Sequence, residues 1–344
     1  MRSHVRMPMT GPRGASKLSL AAGVAASALM LGALAGPATA SSGKSARAQV
    51  TSNASRTVPA GLTDGSGNFT FTTLNNSHDP TFNQLLGINN HGLIAGYYGS
   101  GASGHPNKGY TLGPPYGQAN YVAENYPGSV QTQVTGLNND GRTVGFWANS
   151  GGTNFGWAAI NGRFTTANFT FGGGATNTMD QLLGVNDNGI AVGFAVNNSG
   201  AQVAYQYNTI TNTASRVTVP AGYANPAATA ISNDGAIVGT GTVKSGQVVS
   251  FLDPINGGHF ELAVPGANST TAFGVNDGDE VVGSYAVGTA SHGFIWAPGF
   301  GFLDVDDPSG IGATALNGVN DEGQVVGFYT DGAGNTDGLL GNPK

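Results

Sequence analysis

Residues 318–329 read Gly318-Val319-Asn320-Asp321-Glu322-Gly323-Gln324-Val325-Val326-Gly327-Phe328-Tyr329. A short acidic stretch headed by Asn separates two apolar runs. An Asn side chain accepts from backbone N–H groups just downstream, and Gly three places later tolerates positive φ. The stretch therefore reads as strand, turn, strand. It recurs as GINNHGLIAGYY from Gly87, GLNNDGRTVGFW from Gly136 and GVNDNGIAVGF from Gly184. It recurs again as AISNDGAIVGT from Ala230 and GVNDGDEVVGS from Gly274, so there are six copies at intervals of 49, 48, 46, 44 and 44 residues. Propeller blades have periods of about 40–50 residues, whereas coils of β-helices and leucine-rich repeats are much shorter.

Two further short strands fit into each period. In the fifth they are His292-Gly293-Phe294-Ile295-Trp296 and Gly301-Phe302-Leu303-Asp304-Val305-Asp306, ended by Pro308. Outside the first forty residues no segment has a helical apolar period. Four strands in each of six periods predict an all-β fold, a six-bladed β-propeller of four-stranded blades. The last period lacks a fourth strand, while an unmatched run, Asn68-Phe69-Thr70-Phe71-Thr72-Thr73-Leu74, precedes the first. That N-terminal strand is expected to close the ring and to spare the termini an unpaired edge.

A small residue precedes a large one in every third strand: Gly109-Tyr110, Gly156-Trp157, Ala204-Tyr205, Ser250-Phe251, Gly293-Phe294 and Gly338-Leu339. The small residue suggests a close backbone approach, and the large one filling between blades.

The turn heads Asn89, Asn138, Asn186, Ser232, Asn276 and Asn320 are read as structural caps, since Ser keeps an acceptor where Asn is replaced. Calcium would need six to eight oxygens around one ion. Each turn offers too few, and turns on different blades are expected to stand too far apart to share one. No metal and no cofactor is expected. The acid run Asp304-Val305-Asp306-Asp307 is read as a solvated strand end.

Residues 1–40 have the layout of a secretory signal peptide. Arg2, Arg6, Arg13 and Lys17 precede an apolar run over 18–35, and Pro37-Ala38-Thr39-Ala40 offers small residues before a cleavage point. Residues 41–67 are Ser/Thr/Ala/Gly-rich and read as a flexible leader, with the propeller over 68–344. The mature chain keeps nine Lys and Arg against nineteen Asp and Glu, a formal charge near −10. That balance argues against nucleic acid. The absence of Cys excludes disulfides in an exported chain. No second run is long enough to cross a bilayer, so the mature protein is expected to be secreted, extracellular, free of the membrane and monomeric.

No nucleophile elbow, phosphate loop or dinucleotide fingerprint is present. The mature chain has five His, none paired at metal-ligand spacing. The loops between second and third strands and between repeats are long and polar. They include 99–107, 149–154, 172–180, 196–200 and 331–335. Tyr97, His105, Trp147, Asp180 and His292 lie in or beside them and are the candidate ligand-binding residues. Aromatic side chains beside Asn-rich loops suit carbohydrate or polymer stacking.

The repeated G-[IVL]-N-[ND]-x-G-x-[IV]-[VA]-G-x-Y, followed by an HGF strand such as His292-Gly293-Phe294, resembles the extracellular HAF-repeat family of bacteria. The resemblance covers residues 69–344, although only one period keeps all of HGF. It implies export and a repeat architecture, and it carries no catalytic residues with it. The expected function is a non-enzymatic scaffold that binds an extracellular glycan, polymer or protein through the loop face. The alternatives are an extracellular carbohydrate-active hydrolase or lyase and a cell-surface structural protein.

Overall fold

The computed structural model describes residues 62–255 and 257–344. The signal-peptide region and residues 41–61 of the expected leader lie outside the described residues. Among the described residues the architecture is all-β and propeller-like, with twenty-five strands and two short 3-10 turns. Among the described residues no helix is long and apolar enough to cross a membrane.

Each repeat forms an antiparallel unit. The first comprises Asn83–Ile88, Ile94–Tyr98, Lys108–Leu112 and Tyr121–Ala123. The second and third repeats form the sheets that begin with Gln131–Leu137 and Asn177–Val185. In the sixth, Thr314–Val319, Val325–Thr330 and Thr336–Pro343 are completed by the N-terminal strand Phe69–Thr73. That strand pairs antiparallel with Thr336–Pro343, Phe71 opposite Gly341.

The sheets differ from the expected set of six separate blades. Four have four strands, but the fourth and fifth repeats belong to one nine-stranded sheet. One parallel pair, Val248 with Ser269, joins the two units. The ninth strand is Thr63–Asp64, parallel to Gly301–Asp304. Part of the expected leader is therefore ordered. Gly65 N–H donates to the Asp304 carbonyl, and Ser66 Oγ accepts from Asp306 N–H. A polar Ser-Gly stretch is ordered here because an open strand edge offers it backbone partners.

The apolar core is divided among neighbours. Ala95 of the first repeat clusters with Val134 and Trp157 of the second. Val144 and Leu182 join the second and third, and Val192 and Ala228 the third and fourth. Leu252 and Phe294 join the fourth and fifth, and Val282 and Leu316 the fifth and sixth. Val326 and Leu340 of the sixth pack with Leu85 and Tyr110 of the first. No unit could bury its apolar faces alone, as is general for stacked repeats.

The small–large pairs explain the last Gly of the motif. Gly145 stands opposite Trp157, Gly239 opposite Phe251 and Gly283 opposite Phe294. A Cβ on Gly145 would meet the Gln133 carbonyl oxygen and the Trp157 ring. Each first strand carries a bulge at this level, for example between Val134 and Gly136. The bulge and the ring together fill the place of a side chain. All six large residues are buried. The small residues lie against the next repeat: a Cβ on Gly293 would press on Leu316 and Thr314, and one on Gly156 on Leu182.

Candidate functional site

The six turns meet around a shared cavity of about 90 Å³, lined by residues of every repeat. At all six, the turn-head oxygen accepts the N–H four residues on. The recipients are Leu93, Arg142, Ile190, Ala236, Glu280 and Gln324, at 2.8–3.0 Å. Five heads have an amide to spare, and it donates to the next turn head's carbonyl. Asn89 reaches Asn138, Asn138 reaches Asn186, Asn186 reaches Ser232, Asn276 reaches Asn320, and Asn320 returns to Asn89, all at 3.0–3.2 Å. Ser232 has no amide. Its hydroxyl bonds the Asp234 carboxylate instead.

The next residue in each turn forms a second cycle. Backbone N–H donates to side-chain oxygen from Asn90 to Asn139, to Asp187, to Asn233, to Asp277, to Asp321 and back to Asn90, at 2.6–3.0 Å. The turns thus touch one another, contrary to the separation expected from sequence, because the first strands converge on the cavity. Each carboxylate in this cycle also receives an amide, Asp187 from Asn139, Asp277 from Asn233 and Asp321 from Asn90. This second acceptor was missed. Its signal was present in sequence, since all six copies carry Asn or Asp there.

The loop-face candidates are spread over four repeats, with Tyr97 and His105 both in the first, and do not form one group. Tyr97 is buried and its hydroxyl donates to Gln84 Oε1 at 2.9 Å. Burial pushes that hydroxyl well above the usual tyrosine range. Trp147 is half-buried and stacks on Tyr126 with ring centroids 4.6 Å apart. Asp180 is buried, accepting from Gly156 N–H and from Asn177 Nδ2. Burial pushes its carboxyl up to about 6, against the opposing pull of those hydrogen bonds.

His105 alone of the five is substantially open. Its side chain is 56% exposed, and Nδ1 lies 2.7 Å from Asp79 Oδ2. Burial pushes the Asp79 carboxyl up, but hydrogen bonds from Thr81 and His105 outweigh it and hold Asp79 below the usual range.

His292 lies in a buried group. Nδ1 is 2.8 Å from Asp306 Oδ2 and 3.8 Å from Asp304 Oδ1. The Tyr285 hydroxyl donates to Asp304 at 2.7 Å, and its ring stacks on His292. Burial, then the Asp306 charge, pushes the Asp304 carboxyl up. The acid run is thus enclosed rather than solvated, with Asp304, Asp306 and Asp307 all buried. His292, Asp304 and Asp306 offer three atoms within 4.8 Å, close enough to hold a cation. Comparison between repeats gives Asp306 another role. It accepts Gly293 N–H as Asn125 accepts Gly109 N–H and Asn75 accepts Gly338 N–H.

The opposite end, where the turns lie, presents a different surface. The turn between third and fourth strands exposes Ile210 at 66%, Ile255 at 61% and Phe300 at 89% in three successive repeats. Ile210 and Ile255 adjoin Gly189 and Gly235 of the turns headed by Asn186 and Ser232 in their own repeats, which places them at that end.

No protein-family model matches the chain, and no curated protein matches it. Solved structures do. The chain is similar to a chain described as a TolB from Agrobacterium tumefaciens, at 12% identity and a TM-score of 0.53, covering 77% of this chain and 92% of that one. The fold is propeller-like. TolB from Acinetobacter baumannii is 14% identical with a TM-score of 0.47, over 73% of this chain and 63% of that one. This chain therefore spans less than two thirds of that structure. The SapL1 lectin in complex with alpha methyl fucoside matches at 10% identity and a TM-score of 0.48, over 73% and 89% of the two chains.

Proposed function

We propose that this chain is an exported six-bladed β-propeller of the HAF-repeat kind, closed by its N-terminal strand, and that it serves as a non-enzymatic extracellular binding scaffold. Support for the ring comes from the core clusters and from the turn bonds that return to the first repeat. The nine-stranded sheet is then two blades linked by a single parallel pair. The binding reading is carried by one observation: apolar side chains exposed at the same turn position in three successive repeats. We read this recurrence of exposed apolar side chains at one end as an interaction surface. The central cavity, at about 90 Å³, is well below the roughly 300–1,000 Å³ of small-molecule sites. The partner is an extracellular glycan, polymer or protein.

A hydrolase is the second reading, favoured by the Asp79–His105 pair, in which a buried carboxylate orients an open imidazole. The test is an array of glycans, cell-wall polymers and extracellular proteins, probed with residues 41–344 with and without EDTA. Binding that survives EDTA and His105→Ala but is lost in Phe300→Ser is the expected result. Turnover of an arrayed polymer that disappears in His105→Ala would replace the scaffold with the enzyme.

A further inference from the structure

The chemistry of the turn end restricts what can occupy it. We infer that the exposed turns carrying Ile210, Ile255 and Phe300 dock a cationic amphipathic segment of a partner protein, an inference that rests on the scaffold reading above. Phe260, after the turn of Ile255, is 49% exposed, and its ring centroid lies 6.0 Å from that of Trp296 in the next repeat. Carboxylates are at this end too. Asp187, Asp234, Asp277, Asp279 and Glu280 are in the turns headed by Asn186, Ser232 and Asn276, and Asp253 and Glu261 flank the turn of Ile255.

Within these three repeats the turn end carries no Lys or Arg, although Arg142, Arg163 and Lys344 lie at that end of the second and sixth repeats. Between residues 177 and 304 the chain has two, Arg216 and Lys244. Arg216 lies over Phe169 and Phe171 in a loop-face segment, and Lys244 is in a loop between second and third strands. Both belong to the opposite end. His259, 3.6 Å from Asp253, is the other basic side chain nearby.

Charge complementarity then chooses among occupants. A second copy would set the same acidic surface against itself, and an anionic membrane would be repelled too. A neutral glycan stacks on flat aromatic faces, and two of the three tips are aliphatic. A segment with apolar side chains on one face and Lys or Arg beside them satisfies both features.

The probe is a fluorescent amphipathic peptide of Lys and Leu, about 18 residues long. Its controls are the Glu/Leu counterpart and a Lys/Ser peptide of equal charge. Anisotropy is read with residues 41–344, alongside Trp fluorescence, to which Trp296 beside Phe260 contributes. The Lys/Leu peptide is expected to bind and both controls to bind much more weakly. Ile255→Ser with Phe300→Ser should weaken binding about tenfold or more. Asp253→Asn with Glu261→Gln should weaken it at about 50 mM salt and have less effect at about 300 mM. Circular dichroism confirms that these surface variants fold. Equal binding of the Glu/Leu peptide, or indifference to both pairs of substitutions, overturns the inference. If the Lys/Leu peptide fails while an arrayed ligand binds in a Phe300-dependent way, the scaffold stands and the cationic partner falls. If neither binds, both fall.

Discussion

At the scale of the residue, one side chain type does two tasks in each turn. The Asn oxygen caps its own turn and the amide bonds the next. Ser232 performs only the first, so the fourth-to-fifth link lacks an amide donor. Ser232→Asn is therefore expected to stabilise the protein by about 0.5–1.5 kcal/mol, one added hydrogen bond. Asn186→Ala should cost about 1–3 kcal/mol, because it removes the bond to the Ser232 carbonyl, which keeps only the Gly235 N–H, and leaves the Ile190 N–H unpaired. Urea midpoints of the two variants check both signs. Asp180 predicts a pH effect. Its folded value of about 6 lies above that of an unfolded Asp, near 3.9, so the folded chain holds the proton more tightly. The associated stability is fully present below about pH 4 and is lost as pH rises through 6, by about 3 kcal/mol in all. Asp180→Asn should remove that decline, so the wild type loses more stability than the variant between pH 4 and 7.

At the scale of the element, the second strand explains why Gly ends the motif. Antiparallel pairing puts a large third-strand residue over it, and the first-strand bulge aims a carbonyl at the same space. Gly327→Ala should destabilise by about 3 kcal/mol or more, since the Ala315 carbonyl oxygen occupies the position of its Cβ. Gly332→Ala, in a loop where the nearest neighbour is a side chain 3.2 Å away, should cost much less. Thermal unfolding of the two variants measures the contrast. A similar logic buried the loop-face aromatics. Tyr97 and Trp147 lie within second strands, where Tyr97 is fully and Trp147 half enclosed by packing.

At the scale of the whole molecule, the N-terminal strand completes the sixth unit. Removing residues 1–74 would uncover the Thr336–Pro343 edge and the buried Leu339 and Leu340. The truncated chain is expected to aggregate or to unfold over a broad transition. Residues 62–344, which keep the strand, should unfold in one. Scattering and calorimetry distinguish the two outcomes. The molecule is also polarised. Acids at the loop end, such as Asp180, Asp306 and Asp307, are buried, while Asp140, Asp234, Asp277, Asp321 and Glu322 at the turn end are exposed.

The repeat, its strands, the turn heads and the strand that completes the last unit were all legible in the chain. Each is a local pattern: an acceptor before a Gly, a period of two, a missing strand matched by an extra one. The tertiary structure alone decided which turns touch, where two repeats share one sheet, and which polar groups are enclosed. Asp304 and Asp306 read as solvated because their neighbours in sequence are polar, yet the next repeat and residues 62–66 cover them. The exposure of Ile210, Ile255 and Phe300 was hidden for the same reason. Exposure depends on what packs against a residue from elsewhere in the chain, and burial of apolar area between repeats is not a property of any one of them.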